Sequence, residues 1–164
     1  MTSASTAIIA GLLGFIAGGC GLYLITNNLE KKRAFLSNRR QQLKLVYSPL
    51  EALVKINGQE FDHYFKNDAT NEDREFIEKT IWYPNFVEIK KVIMENAHLL
   101  EQVPDELLRL LNYINIWLSD YDAVYVRQLK DAPVFVRPNG YSYPGEADEF
   151  IYQQAGALRK ELNR

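Results

Sequence analysis

The pattern of apolar and polar positions begins with an uncharged stretch and then changes to helical repeats. Residues 4–26, ASTAIIAGLLGFIAGGCGLYLIT, contain no Asp, Glu, Lys or Arg. A helix of these 23 residues would be about 34 Å long, which matches a bilayer core of roughly 30 Å. The pattern predicts a transmembrane anchor over residues 1–26.

Two processed forms of this segment are alternatives to a membrane anchor. A secretory signal peptide has basic residues before its apolar core, whereas MTSAST has none. Cys20 follows small residues, as a lipid-modified cysteine does, but the apolar run continues beyond it to Ile25. We therefore expect the segment to remain on the mature protein.

Small residues recur along the anchor at helical spacing. Ala10, Gly14 and Gly18 are four positions apart and would lie on one face of the helix. Such a face allows close packing of another membrane helix. It predicts association with a membrane partner or with a second copy of this chain.

A basic segment follows the anchor and predicts its orientation. Residues 27–47 contain neither Pro nor Gly and are rich in good helix formers, so they predict a helical juxtamembrane stalk. The basic side chains expected to contact lipid headgroups are Lys31, Lys32, Arg33, Arg39 and Arg40. The positive-inside rule then places the N-terminus outside and the rest in the cytoplasm. The predicted location is the plasma membrane, or the inner membrane of a bacterium.

Residues 48–164 show the spacing of amphipathic helices. Ser48 and Pro49 predict a helix start, and Asn57-Gly58 predicts its end. Thr70 with Asp73 resembles a cap of the next helix, and Asn85 is a candidate cap for a later one.

The longest predicted helix follows Pro104, and its apolar stripe makes it the expected core of the domain. Its apolar positions are Leu107, Leu111, Ile114, Leu118, Tyr121 and Tyr125, widened by Leu110, Trp117 and Val124. A last helix is predicted over residues 146–163. The fold class is therefore all-α, with a cytoplasmic bundle of about five helices.

One long connection, residues 131–145, interrupts the bundle with prolines and aromatic residues. Connections of this length are often functional, although the segment is also expected to lie over the bundle and bury its aromatic side chains. Its candidate partner contacts are Phe135, Arg137, Tyr141 and Tyr143.

Charge and cysteine content exclude some classes of protein. The net charge is −2 although the stalk is strongly basic, so the domain is acidic and is not expected to bind nucleic acid. The single cysteine, Cys20, lies in the anchor. Disulfides within the chain and cysteine metal sites are therefore excluded.

Both histidines follow a glutamate by three positions, as Glu60 with His63 and Glu95 with His98. Two Glu-x-x-His pairs are half of the ligand set of a carboxylate di-iron site in a helical bundle. A metal-dependent, membrane-anchored enzyme is therefore an alternative. Against it, the first pair lies on a short predicted helix, and His98 near a helix end is favourable without metal. We expect no metal and no cofactor.

The sequence contains no Gly-rich phosphate loop and no serine nucleophile with a matching base. We therefore expect a non-enzymatic, single-pass interaction or accessory protein, which is a small subunit or adaptor of a membrane-associated complex. A membrane-anchored regulatory or signalling effector is a second alternative.

Overall fold

The protein is built from helices in the computed structural model, which describes residues 26–65, 70–129 and 141–163. The chain divides into two compact units, Met1–Arg39 and Arg40–Arg164. In the first unit, the described residues 26–39 form a helix, α1. No strand occurs in the described ranges, which confirms the predicted all-α class.

The predicted transmembrane helix lies outside the described residues, except for Thr26. This also holds for the predicted packing residues Ala10, Gly14 and Gly18. Within the described ranges, no helix combines the length and apolar character that crossing a bilayer requires. The anchor therefore stays a prediction.

The second unit contains four long helices and one short helix among its described residues. They are α2 (Ser48–Phe65), α3 (Asn71–Ile77), α4 (Tyr83–Asn96), α5 (Asp105–Tyr121) and α6 (Gly145–Leu162). Helix α2 packs against α4 and α6, and α5 packs against the same two helices. The bundle thus consists of α2, α4, α5 and α6, with the seven-residue α3 at its side.

π-Helical turns precede two of the prolines. Leu43–Tyr47 lies directly before α2 and Glu78–Trp82 directly before α4, and each turn ends two residues before a proline, Pro49 or Pro84. A proline in a helix removes a hydrogen bond and crowds the carbonyl four residues earlier. A π turn widens the helix there, and the backbone N–H of Ser48 accordingly bonds to the carbonyl of Leu43.

Pro49 therefore does not start a new helix, although the sequence pattern predicted that it would. Ser48 has helical backbone angles and is preceded by helical residues, so its prediction as an N-cap is wrong. Asn85 is likewise inside α4 rather than at its cap. The capping box of Thr70 and Asp73 at the start of α3, in contrast, is confirmed.

Helix α2 also continues through Asn57-Gly58, where the sequence predicted its end. The Asn57 side chain is buried, and its Oδ1 accepts a 2.7 Å hydrogen bond from Nδ2 of Asn85 on α4. Packing against α4 therefore outweighs the low helix propensity of Gly58.

The core is centred on α5, as predicted. Leu107, Leu110, Ile114 and Trp117 have no exposed surface, and they follow one another at intervals of three or four residues. Leu111 and Leu118, which the sequence placed on this stripe, are only partly buried. The buried stripe is therefore rotated from the predicted one, because it includes Leu110 and Trp117, which the sequence placed only at its edge.

The packed unit includes residues that the sequence assigned to the stalk. Val46 is fully buried and Tyr47 is 4% exposed, and the ring of Tyr47 makes an edge contact with Phe150 of α6. Gln42 is buried and donates a 2.7 Å hydrogen bond to the backbone carbonyl of Leu99. Residues 40–47 thus belong to the same compact unit as the helical domain.

Candidate functional site

The aromatic cavity is an opening of about 1010 Å³ in the second unit, lined by residues of α2, α4, α5 and α6 and by Trp82. Its described aromatic lining residues are Phe61, Trp82, Phe86, Tyr113, Tyr143 and Tyr152. A large, mostly apolar cavity with a few polar groups is the usual form of a ligand site. It is the principal candidate site among the described residues.

Helix geometry directs the side chains of α6 and α2 toward this cavity. Asp148 and Tyr152 are four residues apart on α6, so they lie on one face of the helix, and both line the cavity. Asn57 and Phe61 have the same spacing on α2, and both also line it. Continuation of α2 through Gly58 is therefore what brings Phe61 into the site.

Asp148 is the best-defined polar group of the cavity. Its Oδ1 accepts a 2.5 Å hydrogen bond from the hydroxyl of Tyr143. Burial raises the pKa of the Asp148 carboxyl to about 6, although the bond from Tyr143 acts in the opposite direction. Burial and the adjacent carboxylate raise the pKa of Tyr143 well above its usual value, so the tyrosine is the donor. Asp148 is thus mainly ionised at neutral pH.

Asn57 supplies a hydrogen-bond donor in the cavity wall. The residue is 7% exposed, and its Oδ1 is occupied by the bond from Asn85. Its buried Nδ2 has no hydrogen-bond partner within the described part of the chain. Leaving such a donor unsatisfied is unfavourable, so a ligand acceptor at this point would be stabilised.

A second cavity of about 650 Å³ shares Tyr113, Ser142 and Tyr143 with the first. Tyr143 packs edge-to-face on Tyr113, with their ring centres 5.2 Å apart. Of the predicted partner contacts, Tyr143 is therefore partly buried against the bundle, whereas Tyr141 is 54% exposed. Phe135 and Arg137 lie outside the described residues.

A buried carboxylate joins two of the π-helical segments. Glu78 has no exposed surface, and its Oε2 accepts a 2.6 Å hydrogen bond from the hydroxyl of Tyr125. Tyr125 lies in the π turn Asp122–Val126 that follows α5. Burial and the bond to Glu78 raise the pKa of Tyr125, which keeps it protonated as the donor. The pair fixes the end of α5 against the turn before α4.

The predicted metal residues do not gather into a metal site. Glu60 and His63 lie on α2, Glu95 lies on α4, and His98 lies on the following 3₁₀ turn. Nδ1 of His98 is 3.1 Å from the backbone carbonyl of Glu95, which is a local contact. No group of three or more His, Cys, Asp or Glu suited to a metal ion occurs in the described ranges.

The predicted lipid-contact residues are available on the surface. Lys31, Lys32, Arg33 and Arg40 are exposed. Arg39 is partly buried, and its guanidinium lies 5.0 Å from the ring centre of Phe35.

Helix α4 carries apolar residues on two faces. Phe86, Ile89 and Ile93 are buried in the core. Tyr83, Val87 and Met94, here called the outer α4 stripe, are 40%, 40% and 62% exposed. Their spacing of four and seven residues places them on one side of the helix. An amphipathic surface helix normally has a polar outer face, so this stripe is a candidate interaction surface.

The sequence analysis missed Asn57 and Asp148, the two polar residues of the aromatic cavity described above. Each occupies a position on an apolar stripe, because Asn57 follows Leu50 by seven residues and Asp148 precedes Ala155 by seven. A polar residue at a position of an otherwise apolar helical stripe was therefore the signal that could have identified these two residues.

Comparisons with known proteins yield no relative. No protein-family model matches the chain, and no curated protein or solved structure is significantly similar to it.

Proposed function

We propose that this chain is a single-pass, membrane-anchored interaction protein, acting as a small subunit or adaptor of a membrane-associated complex. The observation that supports the proposal is the outer α4 stripe of Tyr83, Val87 and Met94. These apolar side chains are exposed, although the ring of Tyr83 also stacks on Tyr121 of α5. Phe86, Ile89 and Ile93 of the same helix already pack in the core. A helix that is apolar on two faces is typical of an element covered on both sides.

The proposed partner is a protein that presents an apolar helix to this stripe. The anchor over residues 4–26 would hold the domain at the membrane, and the exposed basic residues of α1 would contact anionic headgroups. In this arrangement the N-terminus is outside, the helical unit is cytoplasmic, and Ala10, Gly14 and Gly18 pack against a membrane helix.

The test is purification of the full-length protein from its native membrane in mild detergent. We expect a defined partner to co-purify with the parent protein and to be lost from the double variant Val87→Asp, Met94→Asp. The control is Leu108→Asp, which introduces one negative charge, where the α4 variant introduces two, at an apolar residue of α5 that is 48% exposed.

Loss of the partner from the α4 variant alone would support the proposal. Recovery of only the monomer from the parent protein, or equal recovery of the partner with both variants, would contradict it. Circular dichroism of each purified variant verifies that the bundle remains folded.

The topology has a separate test. Reporter fusions to the C-terminus should show cytoplasmic activity, and deletion of residues 1–26 should release the protein from the membrane fraction. A C-terminal reporter that is active only outside the cell would overturn the orientation.

A further inference from the structure

We propose that the aromatic cavity binds a small organic ammonium ion that also carries a hydrogen-bond acceptor. This inference does not depend on the proposed function, because the cavity is separate from the outer α4 stripe. It is drawn from the walls of the cavity, its charge and its buried donor.

The walls favour a cation with an apolar body. Six of the fourteen described lining residues are aromatic. The face of an aromatic ring carries partial negative charge and attracts an ammonium group, most strongly where water is excluded. Trp82 and Phe86 are each 4% exposed, so the rings with surface available to a ligand are those of Phe61, which is partly buried, and Tyr152, which is 40% exposed.

The charge of the cavity favours the same class of ligand. Asp148 lines the cavity, is partly buried and uses Oδ1 to accept the bond from Tyr143. Its other oxygen remains able to accept from a ligand. Lys55 is the only basic residue among the described lining residues, and it is exposed. A cation near Asp148 would offset the unfavourable burial of the carboxylate.

The buried amide of Asn57 is the reason why the proposed ligand also carries a hydrogen-bond acceptor. Asn57 lines the same cavity, and its buried Nδ2 donor has no hydrogen-bond partner in the described ranges. A hydroxyl or carbonyl oxygen on the ligand would accept this hydrogen bond. A ligand with both groups would therefore satisfy two buried polar side chains in one site.

The experiment uses choline as the probe, since it combines a trimethylammonium group with a hydroxyl. Choline is titrated calorimetrically into the full-length chain in phosphatidylglycerol nanodiscs, with empty discs as the blank. The neutral isostere 3,3-dimethylbutan-1-ol is titrated in parallel. We expect saturable binding of choline and at least about tenfold weaker binding of the neutral compound. Equal binding of the two compounds, or no binding of choline, would overturn the proposal.

Two substitutions test the assigned residues. Asp148→Asn keeps an acceptor for Tyr143 and should weaken choline binding about tenfold or more. Tyr152→Leu removes one aromatic face at a residue that is 40% exposed and should also weaken binding. The control is Glu149→Gln, which removes the same charge from an exposed neighbour outside the lining. Unchanged binding in Asp148→Asn, or equal loss in Glu149→Gln, would contradict the site.

A further titration distinguishes the two sources of such an ammonium group. In phosphatidylcholine nanodiscs, retained choline affinity assigns the site to a free ion and loss of affinity assigns it to a lipid headgroup, and both results support an ammonium ligand.

Discussion

At the scale of single residues, Asp148 shows how burial changes the chemistry of a common side chain. An exposed aspartate has little effect on stability near neutral pH, whereas this one is partly buried among aromatic rings and its pKa is raised. The folded state therefore binds the proton more tightly than the unfolded state does. The carboxyl then makes stability fall as the pH rises from its ordinary pKa of 3.8 to about 6.

Asp148→Asn should remove this pH dependence and leave the protein more stable at pH 7. Because the carboxyl retains some contact with water, we expect a gain of about 1 kcal/mol rather than the roughly 3 kcal/mol of a fully buried group. The difference should disappear near pH 4. Denaturant unfolding of both proteins from pH 4 to 7 measures it.

Glu149→Gln serves as the control for simple loss of a negative charge. If Asp148→Asn were no more stable than the parent at pH 7, the raised pKa would not represent the folded protein. A gain that persisted undiminished at pH 4 would lead to the same conclusion.

At the scale of elements, α2 is the helix whose extent depends most on its neighbours. Gly58 lies within it rather than at its end, and a Cβ added to Gly58 would meet no atom within 4 Å. Alanine has a higher helix propensity and restricts the unfolded chain. Gly58→Ala should therefore raise the free energy of unfolding by about 0.5–1 kcal/mol, measured by urea denaturation.

The matched comparison is Gly156→Ala in α6, where an added Cβ also has open space. Both variants should stabilise the protein by similar amounts. A clear destabilisation by Gly58→Ala alone would indicate that α2 ends at Asn57-Gly58, as the sequence pattern predicted.

At the scale of the whole molecule, the sequence and the structure place the start of the folded unit at different residues. The sequence pattern begins the domain at Ser48, whereas the compact unit begins at Arg40. The intervening residues include Gln42, Val46 and Tyr47, which are all buried.

Two fragments distinguish these boundaries. A fragment of residues 40–164 should unfold cooperatively, while a fragment of residues 48–164 should be less stable by about 3–5 kcal/mol, because it loses the burial of Val46 and Tyr47 and the hydrogen bond from Gln42. Thermal unfolding followed by circular dichroism compares them. Equal melting temperatures would show that residues 40–47 are a stalk without a role in the fold.

The sequence by itself determined the features that depend on local pattern. Helical periodicity predicted the all-α class, the central place of α5 and the approximate extent of α6. The capping box of Thr70 and Asp73 was predictable because all its hydrogen bonds lie within four consecutive residues. The uncharged segment and its basic flank likewise predict an anchor and its orientation, which lie outside the described residues.

Tertiary structure decided the features that depend on distant contacts. Ser48-Pro49 predicted a helix start and Asn85 a helix cap, whereas π turns accommodate Pro49 and Pro84 within packed helices. The Asn57-Gly58 signal was overruled by the bond between Asn57 and Asn85, which are 28 residues apart.

The aromatic cavity could not be predicted for the same reason. Its lining residues come from four helices, from Trp82 and from Ser142 and Tyr143, and only packing brings Asn57 and Asp148 to one cavity. Local propensity specifies which segments become helices, because it acts over a few residues. Burial specifies where those helices continue and which polar side chains share a site, because it depends on residues that are distant in sequence.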